Sequence, residues 1–214
     1  MPLPKHYLLE FRNAVSVFTG LGIAGLVDRI VMRNARKLPC IPGSTVKGRW
    51  RFFAERFLQG LGSDATDGLW MHKDAQWCKD QTDPQNNCTI CRLFGNPALP
   101  SILQIGQGEL ESAVADAFEQ LLKAGRNPVV HPDTELRPGI ALSRRRRTAL
   151  GDHLFFDEAL PPVTFKGPID FTVDPTLAEL HFLKISAELV DAIGARKDIG
   201  RGALVAGIRL SCDV

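Results

Sequence analysis

No stretch of this sequence is apolar over the length that a membrane span requires, and the N-terminus has no hydrophobic core long enough for a secretion signal. A cytoplasmic protein with no membrane partner is therefore expected. Charge of one sign is also missing. Lys and Arg number 26 against 24 Asp and Glu, a net charge of +2, so the overall field does not mark a nucleic-acid binder. Cysteine is scarce and odd in number: of five, three fall between 78 and 91, which argues for metal ligation over a secreted disulfide framework. The Gly-x-x-x-x-Gly-Lys-Ser/Thr spacing of a nucleotide-binding loop is absent, as are internal repeats and low-complexity segments.

What is present is an ordinary globular balance, 44% hydrophobic and 23% charged over 214 residues. That length buries one substantial core with room for a large insertion, so a single domain over 1–214 is expected. Basic residues are few in excess but concentrated. They gather at Arg29/Arg33/Arg36/Lys37, at Lys47/Arg49/Arg51 and at Arg144-Arg145-Arg146-Arg147. The last run lies between apolar groups (Ile140, Ala141, Leu142; Leu150, Leu154, Phe155), which favours an ordered patch over a solvated tail.

Periodicity predicts an opening strand over 7–18, a short strand over 30–33, and a helix over 44–60 with Val46, Trp50, Phe53, Phe57 and Leu61 on one face. Further strands are expected at 102–110, 139–144, 163–173 and 204–211, and a second helix at 177–193. The order fits an α+β, ferredoxin-like βαββαβ core with insertions.

Three constellations carry chemistry. After Pro39-Cys40-Ile41-Pro42-Gly43, Ser44 is a candidate N-cap, and the free N–H groups of the first turn stand beside Lys47, Arg49 and Arg51. Basic residues at a helix start oppose the macrodipole, and a bound nucleic-acid backbone would account for them. The loop from Gly194 to Gly202 adds Arg201 to this phosphate-binding surface. His72, Cys78, Cys88 and Cys91 make a Cys₃His set for a structural, tetrahedral zinc in an insertion over about 62–100. Free buried cysteines and a redox pair are the competing readings, and His131 or His153 could replace His72. Asp28, taken alone, reads as a turn residue. Beside Arg29, Arg33, Arg36 and Lys37, its carboxylate also suits assisted attack of an RNA 2′-hydroxyl on the adjacent phosphorus.

Val27-Asp28-Arg29 followed by Ile41-Pro42-Gly43-Ser44-Thr45-Val46-Lys47-Gly48 resembles the RAMP superfamily of CRISPR proteins, and within it the repeated backbone subunit of type III effector complexes. Cys88-Thr89-Ile90-Cys91-Arg92-Leu93-Phe94-Gly95 is similar to that subunit's zinc-holding segment. The block from Arg137 to Pro161 is similar to its β-hairpin "thumb", placed here at about 126–150, with Arg144, Arg145 and Arg146 on phosphates. Two departures stand out: Ser143 where an aspartate is common, and a degraded glycine-rich loop around Arg201.

The resemblance implies an RRM-like fold and a subunit that binds CRISPR RNA (crRNA), polymerises along it with copies of itself and other type III CRISPR subunits, and cuts target ssRNA at regular intervals. Asp28 would be the catalytic residue, using Mg²⁺ or Mn²⁺ and leaving a 2′,3′-cyclic phosphate. Arg29, Ser44, Lys47, Arg49, Arg51 and Arg201 would bind RNA, and Asp157 and Glu158 would pair with arginines of a neighbouring copy. The alternatives are an inactive crRNA-binding scaffold, a guide-processing ribonuclease, which the lack of histidine in the basic N-terminal cluster disfavours, and a zinc-stapled interaction module that never touches RNA.

Overall fold

The computed structural model describes residues 2–23, 25–61, 68–72, 78–79, 86–124, 131–143 and 145–212. Its centre is β1 (His6–Phe11), where Tyr7, Leu9 and Phe11 are buried and the intervening residues are half-exposed. This is the two-residue period of a strand packed on one face. β1 pairs antiparallel with β7 (Thr164–Phe171) on one side and β8 (Leu204–Ser211) on the other. Beyond β7 lie β3 (Leu103–Ile105) and β4 (Gly108–Leu110), both antiparallel to it, and β2 (Cys40–Ile41) extends the sheet from β4. With β3 and β4 counted as one interrupted strand, the order β3/β4–β7–β1–β8 is that of the expected ferredoxin-like core.

Helix α1 (Gly43–Leu61) buries Val46, Trp50, Ala54 and Leu58, a strict i, i+4 row. Phe53 and Phe57 pack beside that row half-buried, and Leu61 is exposed, so the apolar face is rotated from the one the sequence suggests. Ser44 is not the cap. Thr45 and Val46 N–H groups bond the Pro42 carbonyl, which places Ser44 inside the first turn. Helix α2 (Thr89–Phe94) follows the cysteine segment. Helix α4 (Leu177–Glu188) opens with a capping box between Thr176 and Glu179, and Trp50 of α1 donates to its Ser186 at 2.9 Å. α4 stops before the expected Ile193 because its continuation pairs elsewhere: Ile193 N–H bonds Gly202 O, and Leu204 N–H bonds Asp191 O.

The opening strand also ends early, at Phe11. Past it the chain leaves the sheet, and Val15 pairs with Leu160. Helix α3 (Ser112–Ala124), to which the sequence reading assigns no element, buries Ala115 and Phe118. It leads into a separate two-stranded hairpin, β5 (Glu135–Ser143) and β6 (Thr148–Ala159), inserted between the second and third core strands. The expected hairpin at 126–150 is thus shifted along the chain, because pairing of Ile140 with Leu154 and Leu142 with Ala149 puts Arg145, Arg146 and Arg147 in the tip. Residues 126–130 and Arg144 lie outside the described residues. Among the described residues no helix is long and apolar enough to cross a membrane.

Pro138 sits mid-strand in β5, where a proline is normally excluded. Its partner Phe156 turns its own N–H and C=O outward, to Asp28, so the pair exchanges no hydrogen bonds and the missing N–H costs nothing. The segment 28–31 docks on that outward edge of β6. Arg29 O accepts from Glu158 N–H at 3.0 Å, and a parallel bridge joins Arg29 to Asp157.

Candidate nucleic-acid interface and metal centre

The loop that presents Asp28 is built on close backbone contacts. Ile23 and Val27 bond each other across a tight turn, and a Cβ on Gly22 would lie 2.5 Å from the Asp28 carbonyl oxygen. Asp28 itself is exposed. Its Oδ2 accepts from Phe156 N–H at 2.7 Å, and its own N–H donates to Phe156 O at 2.9 Å. Oδ1 has no hydrogen-bond partner among the described residues.

Beside it lies a buried charge cluster that the sequence reading places elsewhere. Asp157 and Glu158 do not wait for a neighbouring copy: they are 1% and 0% exposed. Consecutive in β6, the two carboxylates leave opposite faces of the strand, and the chain's own groups cover each of them. Glu158 accepts from Val31 N–H at 2.8 Å and from the Thr134 hydroxyl at 3.3 Å, fastening the segment after Asp28. Asp157 faces Arg196 Nε at 3.0 Å, Arg201 Nη1 at 3.7 Å and Arg29 Nε at 3.9 Å. Burial pulls the Arg201 pKa down, and the Asp157 carboxylate opposes that shift. The guanidiniums of Arg196 and Arg29 lie 4.4 and 5.9 Å from the Phe155 ring centroid. Sequence reasoning does not find Arg196, Phe155 and Asp157 as a group, because nothing along the chain reveals that the loop after α4 meets the base of a hairpin. The clustering of arginines in that loop is the one signal pointing there.

The helix-start residues have internal duties. Lys47 Nζ donates to Ser101 Oγ and to Leu103 O at 2.7 Å, tying α1 to β3, and burial lowers its pKa, helped by Arg51. Arg49 bonds Asp191 and Ala192 O, both at 2.9 Å, and stacks on Phe53 at 4.6 Å. Arg51 bridges Glu55 at 2.7 Å and bonds Gly95 O at 2.6 Å. Ser44 is exposed, and Arg145, Arg146 and Arg147 are exposed at the hairpin tip.

The cysteine cluster is compact. His72 Nδ1 and the sulfurs of Cys78, Cys88 and Cys91 all lie within 4.8 Å of one another, with His72 Nδ1 3.1 Å from Cys88, 3.6 Å from Cys78 and 3.9 Å from Cys91. Four ligands at zinc bond lengths of about 2.0–2.3 Å stand about 3.3–3.8 Å apart in a tetrahedron, so the donor set and its spacing fit zinc. His131 sits instead beside Asp133 and Arg33, and His153 is exposed on β6. Burial pushes the Cys88 thiol up to about 12, against N–H donation to its sulfur from Cys91 at 3.4 Å. Only a cation would hold such a group as thiolate at neutral pH. Cys88 also caps α2, so the ligand loop and the helix form one unit. Residues 62–67, 73–77 and 80–85 of the expected insertion lie outside the described residues.

The fold matches known proteins. Residues 16–205 match the family described as the RAMP superfamily, and the chain belongs to it. No curated protein matches it in sequence. Among solved structures it is similar to a chain of the type III-B Cmr-beta bound to cognate target RNA, by cryo-EM, with a TM-score of 0.62 and 10% identity over 97% of each chain. A chain of the apo state of Cmr-beta gives a TM-score of 0.63 and 11% identity, again over 97% of each. At such identities the likeness is one of fold.

Proposed function

We propose that this chain is a guide-RNA-binding backbone subunit of a type III CRISPR effector complex and that it cuts complementary target ssRNA through Asp28. Membership of the RAMP superfamily and the fold shared with Cmr-beta, seen there with cognate target RNA, support the RNA-binding part. Specificity resides in base pairing with the crRNA, while the protein reads backbone and shape. Copies of the chain and other type III subunits line the guide. The zinc is structural, since His72, Cys78, Cys88 and Cys91 close its coordination sphere.

One observation carries the cleavage reading. Asp28 is an exposed carboxylate fixed by one oxygen to the base of the hairpin, with no hydrogen bond to the other oxygen among the described residues, and Arg29 follows it directly in the chain. The hairpin kinks the strand. The unengaged Oδ1 accepts the 2′-hydroxyl proton as that oxygen attacks the adjacent phosphorus in line. The P–O5′ bond breaks, giving a 2′,3′-cyclic phosphate and a 5′-hydroxyl. A divalent ion, Mg²⁺ or Mn²⁺, would add charge stabilisation at the phosphate.

The test is target cleavage by the guide-loaded assembly with native chain or Asp28→Ala, in Mg²⁺ and in EDTA. Regularly spaced cuts lost in the variant and in EDTA, with assembly and target binding unchanged, support the reading. If the native assembly binds target and leaves it intact, the chain is a scaffold and the cleavage assignment fails.

A further inference from the structure

Of the four groups that would hold zinc, the core fixes two and leaves two to be delivered. Cys88 and Cys91 stand at the start of α2, whose Ile90 and Leu93 are fully buried, so packing holds both sulfurs in place. His72 and Cys78 lie on segments that belong to no helix or strand. A ligand arm left free would have to be ordered when the metal binds, and that ordering would subtract from affinity. Something must bring each arm to α2.

For the His72 arm it is Thr89. Trp70, two residues before His72, donates its N–H to Thr89 Oγ1 at 3.0 Å, and its carbonyl accepts from Thr89 N–H at 3.0 Å. Leu69 and Met71 pack half-buried against the core, but apolar packing is non-directional. The double tie to the buried Thr89 sets the register that leaves His72 Nδ1 3.1 Å from Cys88 Sγ. For the Cys78 arm it is Asn96. Gly95, at φ 79°, ends α2 and turns the chain back. Asn96 Oδ1 then accepts from the Ala98 and Leu99 N–H groups at 2.8 and 2.9 Å, closing the turn. Its Nδ2 is left to donate to the Cys78 carbonyl at 3.0 Å. With that carbonyl held, Cys78 Sγ lies 3.4 Å from the Cys88 N–H.

We propose that Thr89 and Asn96 are the positioning residues of the zinc centre: Thr89 seats the His72 arm, and Asn96 the Cys78 arm, on the Cys88–Cys91 pair. Neither offers an atom to the metal. Each grips the backbone of a segment that carries a ligand, so the four donors converge at a smaller ordering cost. The inference rests on the zinc reading above and is independent of RNA binding and cleavage.

The test uses the full chain. Zn²⁺ affinity is measured by competition with a chelator, and the ligand set is read from the absorption spectrum of the Co²⁺-substituted chain. Thr89→Val removes the hydroxyl at nearly constant shape, and Thr89→Ser keeps it. Asn96→Asp keeps the acceptor that closes the turn and removes the donor to Cys78. Partners that orient metal ligands are typically worth about 10–100-fold in metal affinity. Thr89→Val and Asn96→Asp are each expected to weaken Zn²⁺ binding by about that factor, with the native Co²⁺ spectrum at saturating metal. Thr89→Ser is expected to bind as the native chain does. Native affinity in either weakening variant removes that residue from the proposal, and native affinity in both overturns it. Equal weakening in Thr89→Ser overturns the role of the hydroxyl, and a changed Co²⁺ spectrum at saturation overturns positioning, because a ligand has then been lost. Native chain that takes up neither Zn²⁺ nor Co²⁺ overturns the zinc reading itself.

Discussion

Asp28 and Phe156 hold each other twice: Phe156 N–H donates to the Asp28 carboxylate at 2.7 Å, and Asp28 N–H donates to the Phe156 carbonyl at 2.9 Å. The carboxylate proposed to cut RNA is thereby fixed to the hairpin proposed to bend it. The register that pairs Phe156 with Pro138 turns those two backbone groups outward to Asp28, which is why a proline is tolerated there.

Asp28→Asn separates the carboxylate's two roles. Its amide oxygen still accepts from Phe156 N–H, so thermal stability should match the native chain, whereas Asp28→Ala should lose about 1 kcal/mol, a drop of about 2–4 °C in melting temperature. Neither variant retains a base at this position. Cleavage by both should fall at least about 100-fold, read as single-turnover rate on bound target.

Zinc content is expected to be one ion per chain by elemental analysis, and Cys88→Ser or Cys91→Ser should abolish it. Because burial holds the Cys88 thiol at about 12 without metal, binding at neutral pH must release its proton. Zinc affinity should therefore weaken as pH falls, measured by competition with a chelating dye.

Asp157→Ala strands three guanidiniums around a vacated carboxylate and should lower stability by about 2–3 kcal/mol in urea denaturation. Arg29→Ala removes only a half-exposed partner 3.9 Å away, and the change should stay below about 1 kcal/mol.

Lys47→Ala should be a stability variant. It breaks the tie from α1 to Ser101 and Leu103, at about 1–3 kcal/mol, while leaving the salt slope of RNA binding at its native value. Combined Arg145→Gln and Arg146→Gln at the hairpin tip should do the reverse: stability within about 0.5 kcal/mol of native, and a reduced salt slope.

Much was legible in the sequence because its causes are local. The existence of α1 with Trp50 on its buried face, the start of α4 near Leu177, the alternation of β1 and the Cys88–Cys91 spacing are each written within a few residues, and with them came the strand order of the core. His72 could be nominated as a ligand candidate from its residue type and its place beside the cysteines.

What the sequence could not decide depended on distant segments meeting. Periodicity sees a helix running on to Ile193, but not that Ile193 will bond Gly202 instead; it sees arginines at 144–147, but not that cross-strand pairing puts Arg145, Arg146 and Arg147 in a tip. Asp157 and Glu158 look like surface acids until the chain's own groups cover them. Lys47 reads as a phosphate ligand along the chain, and only the fold shows that its ammonium also ties α1 to Ser101 and Leu103. Local periodicity and ligand spacing thus set the elements and the candidate residues, and the motifs at 27–29 and 41–48 carried the resemblance to the family. The tertiary structure alone chose which charges are buried and paired and which stand open, because pairing energy depends on distance in space and desolvation, and neither is a property of neighbours along the chain.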